Sequence, residues 1–203
     1  MKIKLIVFDM DGVLIDACEW HRVALNKSLS HLCGYEISLE QHYSDFNGLP
    51  TKVKLRKLLE MGVVEESQFD EIETLKQKFT IDLIEKKATI RQEKIELLNH
   101  LKNKEIKIAC YTNSIRHTAR LMLYKTGIID FFDLIITNQD VDNPKPDPQG
   151  YTKIMQHFSV KPEETIIVED SPKGFEAAYR SQARVFKVRD QEEVNLKLFR
   201  GFL

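Results

Sequence analysis

Apolar positions follow two rhythms along this chain. Residues 3–8 form an almost unbroken apolar run, interrupted by Lys4 and followed by Asp9-Met10-Asp11-Gly12. Such a run, stopped by a glycine, predicts a strand buried on both faces, as in a parallel sheet. The rhythm then turns helical from 17 to 88. Trp20, Val23, Ala24 and Leu32 recur at helical spacing between Glu19 and Cys33, and Gly34 stands at the C-cap position. Ser38 can cap a short helix through Asp45, and Gly48-Leu49-Pro50 breaks the pattern. Pro50 or Thr51 opens a helix ending near Gly62. A long amphipathic helix then carries Phe69, Ile72, Leu75, Phe79 and Leu83 on one face. No strand candidate falls in this stretch.

Beyond it the two rhythms alternate. Helices are expected at 94–102, 115–125, 149–158 and 172–181, and strands at 106–111, 132–136, 165–168 and 183–188. Strand and helix in alternation with short loops predict a parallel sheet covered on both faces. The helical stretch 17–88 then reads as a cap inserted after the first strand, and residues 1–16 with 89–203 as the α/β domain.

Composition changes this picture little. A chain of 203 residues has room for one large domain or a domain with an insertion. With 42% hydrophobic and 30% charged residues, it fits an ordinary globular protein. A net charge of −1 gives no reason to expect a nucleic-acid or membrane partner. No apolar run approaches the ~20 residues that span a bilayer, and the first eight residues are too short for a secretory segment. Cys18, Cys33 and Cys110 lack the spacing of a zinc site or a disulfide framework. They read as small core residues, and the protein as cytoplasmic. Lys52, Lys54, Arg56 and Lys57, like the acidic run 65–73, read as solvated helix faces.

The candidate chemistry gathers at strand ends. Asp9 and Asp11 follow the first strand, where open α/β sheets place their ligands. On an extended backbone, residues two apart point the same way, so the two carboxylates can share a site. Like charges that close need a bridging cation or a shared proton. Asp-x-Asp-Gly alone is a common turn, and a calcium loop fails because a strand rather than a helix precedes it. Thr112-Asn113-Ser114 ends the second strand before a helix, either as a phosphate cradle or as a simple cap. Lys145 sits in Asn143-Pro144-Lys145-Pro146-Asp147-Pro148, a stiffened loop whose ammonium suits a phosphate or a carboxylate pair. Glu169-Asp170-Ser171-Pro172 ends a fourth strand with two acids suited to Mg²⁺, or with a helix cap. Four strands thus deliver acids, hydroxyls and a lysine to one edge of one sheet.

FDMDGVLID, YTNS, NPKPDP and VEDSPKGFEAA resemble the four motifs of the haloacid dehalogenase-like hydrolase superfamily. They stand in its order and span essentially the whole chain. A helical insertion after the first motif is similar to the subgroup of β-phosphoglucomutase and phosphoglycolate phosphatase. The resemblance implies a Rossmann-like parallel sheet with helices on both faces and an α-helical cap. Dehalogenases and phosphonoacetaldehyde hydrolases lack the second acid of the first motif, so Asp11 implies phosphoryl chemistry. Asp9 is then the nucleophile, and Asp11 the acid that protonates the leaving oxygen and later activates water. The Asp9 carboxylate, the Asp11 carbonyl and Asp170 would hold Mg²⁺, with Glu169 as a further ligand or just behind. Thr112, Asn113, Ser114 and Lys145 would hold the phosphoryl oxygens. Glu19 and His21 follow the hinge, and in the mutase subgroup a histidine here faces the active site. On the outer helix face His21 is instead a bystander.

The loop Asn47-Gly48-Leu49-Pro50-Thr51 resembles the family's substrate loop. It has Asn47 and Thr51 where the mutase has a lysine and a clamping arginine, although Lys52 can partly substitute. Gln182 replaces the glycine that usually ends the last motif's helix. The expectation is a Mg²⁺-dependent phosphomonoester hydrolase acting on a small phosphorylated metabolite through an aspartyl-phosphate. The alternatives are a sugar phosphomutase and a non-catalytic phosphate-binding regulator.

Overall fold

A computed structural model describes residues 2–202. It divides into two compact units, Met1–Asp16 with Thr89–Leu203 and Ala17–Ala88. The first opens with β1 (Leu5–Phe8), whose four residues are all buried. The second holds α1 (Cys18–Cys33), α2 (Leu39–Gln41), a π-helical turn (His42–Phe46), α3 (Thr51–Glu60) and α4 (Phe69–Lys87). The chain then returns to the first unit with α5 (Gln92–Asn103), β2 (Lys107–Tyr111), α6 (Arg116–Lys125) and β3 (Leu134–Ile136). It ends with α7 (Gln149–Phe158), β4 (Thr165–Glu169), α8 (Pro172–Arg180) and β5 (Arg184–Lys187).

The sheet is parallel throughout, in the order β3-β2-β1-β4-β5. Leu5 pairs with Lys107 on one side and Thr165 on the other, so β1 is the central strand. Successive strands step outward from β1 to β3, then restart across β1 at β4. That reversal between β1 and β4 opens a crevice at the carboxyl ends of the strands. One core cluster of this unit joins Leu5, Val7, Ala109 and Ile167 of the strands to Ile154, Met155, Ala177 and Ala178 of α7 and α8. Each fully buried aliphatic side chain of this kind contributes about 1.5–3 kcal/mol.

The helical unit has its own core of Leu25, Leu29, Ile37, Phe46, Leu55, Leu58, Val64 and Ile72. Gly34 ends α1 at φ 63°, donating to the Ser30 carbonyl at 3.2 Å. Ser38 and Gln41 form a reciprocal capping box at α2. Several details depart from the periodicity. The helix expected through Asp45 switches at His42 to i→i+5 bonding, with the Asn47 N–H donating to the His42 carbonyl at 2.8 Å. Buried positions on α1 are Ala24, Leu25, Asn26, Ser28 and Leu29, while Trp20, Val23 and Leu32 are half-buried. On α4 the buried face includes Lys76 and Thr80 beside Ile72, Leu83 and Ile84. Lys54, read as part of a solvated face, is 7% exposed.

Candidate active site

β1 ends at Phe8, one residue before the first acid. The Asp9 N–H still donates to the Val168 carbonyl of β4 at 3.0 Å, so Asp9 sits at the crevice with an ordered backbone. The chain then turns. The Met10 carbonyl accepts from the N–H groups of Leu14 and Ile15 at 2.9 and 3.0 Å, and Gly12 adopts φ 87°. Asp9 and Asp11 therefore do not share one extended strand face, as their spacing had implied. A Cβ on Gly12 would also lie 2.2 Å from Asp170 Oδ2, so the glycine both makes the turn and leaves room for that carboxylate.

The two acids have separate partners. Asp9 Oδ1 accepts from Lys145 Nζ at 2.7 Å. Asp11 Oδ2 accepts from Ser114 Oγ at 3.0 Å and Thr112 Oγ1 at 3.3 Å. Asn113 is engaged with the loop of the lysine. Its Oδ1 accepts from the Lys145 N–H and its Nδ2 donates to the Lys145 carbonyl, both at 3.2 Å.

Lys145 is buried, not presented to solvent. Its three ammonium donors go to Asp9 Oδ1, to the Tyr111 carbonyl at 2.9 Å and to Glu169 Oε1 at 2.5 Å. The Tyr111 and Tyr151 rings flank it with centroids at 4.8 and 5.3 Å. Burial alone would pull this ammonium down; the charges of Asp9 and Glu169 overturn that and hold it well above the usual lysine value.

Glu169 is fully buried at the end of β4, where Tyr151 Oη donates to the same Oε1 at 2.5 Å. A Cβ on Gly174, in the first turn of α8, would lie 1.9 Å from Glu169 Oε2. Only a residue without a side chain fits there. Ser171 caps α8 by accepting from the Gly174 N–H at 3.1 Å, with Pro172 in the first helical position. The cap and the acid cluster thus coexist at this strand end.

Asp9, Glu169 and Asp170 each place a carboxylate oxygen within 4.8 Å of the others. Burial, then the charge of Glu169, raises Asp9 well above the ordinary carboxylate value. The same two causes push Asp170 up to about 7, and its buried Oδ1 has no hydrogen-bond partner. With Asp11 nearby, four carboxylates gather around one ammonium that among them bonds only Asp9 and Glu169. This is a donor set suited to a divalent cation: clustered hard oxygens, excess negative charge and an orphaned acceptor.

The remaining expected site residues lie in the helical unit. Glu19 on α1 accepts from Arg22 at 2.6 and 2.7 Å. His21 Nδ1 is 3.4 Å from Lys76 Nζ. Gly48 turns the chain before α3 at φ 73°, and Lys52 is exposed on α3, lining a groove with Arg56, Phe69 and Glu73. Sequence reasoning missed Tyr151, whose place on the apolar face of α7 with Ile154 and Met155 disguises its hydrogen bond to Glu169. It also missed Gly174, whose place inside a helix is itself a signal of close approach.

This fold is that of the haloacid dehalogenase-like hydrolases. The family's pattern matches residues 6–188, and the chain belongs to that family of enzymes. The chain is 27% identical over 189 residues to the pyrophosphatase PpaX of Oceanobacillus iheyensis, covering 93% of this chain and 84% of the relative. It is 28% identical over 178 residues to a phosphorylated carbohydrates phosphatase of Thermotoga maritima, covering 86% and 80%. The crystal structure of β-phosphoglucomutase from Clostridium difficile shares the fold, with a TM-score of 0.83 at 24% identity over 96% of this chain and 94% of that one. Among the described residues, no helix is long and apolar enough to cross a membrane.

Proposed function

We propose that the protein is a Mg²⁺-dependent phosphomonoester hydrolase acting on a small phosphorylated metabolite. The observation that carries this reading is the division of environments between the two acids of the first motif. Asp9 lies against Lys145 in the acid cluster, and Asp11 accepts from the hydroxyls of Thr112 and Ser114. Two carboxylates held so differently suit two roles, nucleophile and proton carrier. The similarity to proteins named as phosphatases supports the same reading.

In this mechanism an Asp9 carboxylate oxygen attacks phosphorus as the phosphorus–oxygen bond to the leaving group breaks. Asp11 gives its proton to that oxygen. Asp11 then takes a proton from water, whose oxygen attacks the aspartyl-phosphate, and inorganic phosphate leaves as Asp9 is restored. Lys145 fixes the attacking carboxylate and offsets its charge. Thr112, Ser114 and the Asn113 backbone support the phosphoryl oxygens, and the Asn113 side chain pins the lysine loop. Asp9, Asp170 and the Asp11 carbonyl would hold Mg²⁺, with Glu169 beside them. The cation would supply positive charge against the phosphoryl oxygens.

Asp9→Asn tests the core of this reading. It keeps the shape and can still accept from Lys145, so the fold should persist while turnover falls by the ~10²–10⁴ typical of losing one catalytic group. Phosphorus NMR on a panel of phosphorylated sugars and small organic phosphates reads the outcome. Activity within a tenth of wild type refutes the covalent role, and isomerised sugar phosphate in place of free phosphate identifies a mutase.

A further inference from the structure

Two tyrosine rings flank the buried ammonium of Lys145, and their hydroxyls differ. Tyr111 and Tyr151 pack edge to face, with centroids 4.9 Å apart and planes at 87°. Both are fully buried. Gly150 makes room for the first ring, since a Cβ there would lie 2.3 Å from Tyr111 Cζ. The Tyr111 hydroxyl has no hydrogen-bond partner. The Tyr151 hydroxyl has one, Glu169 Oε1 at 2.5 Å. The buried face of α7 otherwise carries Gly150, Ile154 and Met155, where a phenylalanine would pack as well. What the tyrosine adds is the bond to the acid.

That bond has a consequence for the lysine. A carboxylate oxygen offers two lone pairs. On Glu169 Oε1, Lys145 Nζ takes one and Tyr151 Oη the other. Glu169 Oε2 accepts from Ser171 Oγ at 3.4 Å and lies against Gly174 of α8, so the carboxylate is fixed at both ends. Lys145 donates all three of its protons, to Asp9, to Glu169 and to the Tyr111 carbonyl. Without the Tyr151 hydroxyl, a fully buried carboxylate has an empty acceptor position, which is costly. The donor already at that oxygen is the ammonium, and Glu169 then competes with Asp9 for it.

We propose that Tyr151 is a positioning residue of the active site. By donating to Glu169 it keeps Lys145 on Asp9, and so keeps the attacking carboxylate aimed. It acts only through Glu169 and Lys145. The effect on turnover rests on the hydrolase reading; the hold on the lysine does not.

The test uses the full chain with Mg²⁺ and p-nitrophenyl phosphate as the probe. Tyr151→Phe keeps the ring and the packing of α7, so the fold should persist. Its kcat should fall about tenfold or more with KM held within about threefold, because the loss lies in aiming the nucleophile rather than in binding substrate. Tyr111→Phe takes an unbonded hydroxyl from the neighbouring ring and should cost kcat less. Crystals of wild type and Tyr151→Phe, grown without metal, give a readout independent of turnover. The separation of Lys145 Nζ from Asp9 Oδ1, 2.7 Å in the native chain, should lengthen past the ~3.2 Å of an ordinary N–H···O bond.

An unchanged kcat in Tyr151→Phe overturns the proposal. So does an equal loss in Tyr111→Phe, which would assign the effect to ring packing, and so does a loss of kcat with the lysine unmoved. If wild type turns over neither the probe nor a panel of phosphorylated metabolites, the hydrolase reading fails by itself. The separation in the crystals then decides alone whether Tyr151 positions the lysine.

Discussion

Two lysines are almost fully buried in the α/β unit, and they meet opposite fates. Lys145, at the carboxyl edge of the sheet, gives its protons to two carboxylates and a carbonyl, and is held well above the usual lysine value. Lys94, on α5, donates to the carbonyls of Gln191 and of Val194 (2.7 Å), closing the segment after β5 onto the helix. Burial pulls its ammonium down to about 8, and the charges of Glu93 and Glu192 recover only part of the loss. Depth is therefore not what decides the charge of a buried lysine. Full opposite charges in contact overcome desolvation; carbonyl dipoles do so less well. One arrangement concentrates charge at the carboxyl edge of the sheet, and the other ties the segment after β5 to α5.

The largest expected effect comes from removing the first lysine. Lys145→Met leaves Asp9 and Glu169 buried against each other without their cation, and should cost about 3–5 kcal/mol in denaturant unfolding. Lys94→Met strands two carbonyls and should cost about 1–3 kcal/mol. Equal losses would erase the distinction. A middle-sized effect concerns the excess acid around Lys145. Mg²⁺ at about a hundred times its dissociation constant should stabilise the fold by about 2.7 kcal/mol, and a chelator should reverse this. In Asp170→Ala the gain should shrink sharply; a gain of wild-type size would remove Asp170 from the metal site.

The last expected effect is a pH dependence at Lys94. Its folded value of about 8 lies below the value of about 10.4 expected in the unfolded chain. Between those limits the unfolded chain binds more protons, so Lys94's contribution to stability rises with pH across that window and is flat below it. The difference between wild type and Lys94→Met, measured from pH 7 to 10.5, should therefore grow. A constant difference would mean that Lys94 keeps its proton as Lys145 does.

Much of the architecture is legible in the residues because its signals are local. Gln149–Phe158 has the bounds that apolar spacing and Pro148 predict, and Lys145 lies within hydrogen-bonding distance of Asp9, as Thr112 does of Asp11. Other features depend on what the chain meets in space. Nothing local marks Lys54 as buried within a basic run, or Tyr151 as a donor to an acid on another strand. The π-helical turn at His42 has no sequence period of its own. Asp9 and Asp11 are alike in residue type and part because the chain leaves its strand after Phe8 and each meets its own partners.

The position of β1 bears on how the chain is made. It is synthesised first and lies at the centre, yet its two neighbours are residues 107–111 and 165–169. At the usual ~5–20 residues per second, β4 follows it from the ribosome by roughly ten to thirty seconds. Throughout that interval Leu5–Phe8 is an apolar segment with an unpaired edge, the kind of surface that aggregates or recruits a chaperone. The helical insertion holds its core within one continuous segment, so it can collapse while β1 waits. Asp9 leaves the ribosome well before Asp170, so a truncated chain carries Asp9 without the rest of its acid cluster.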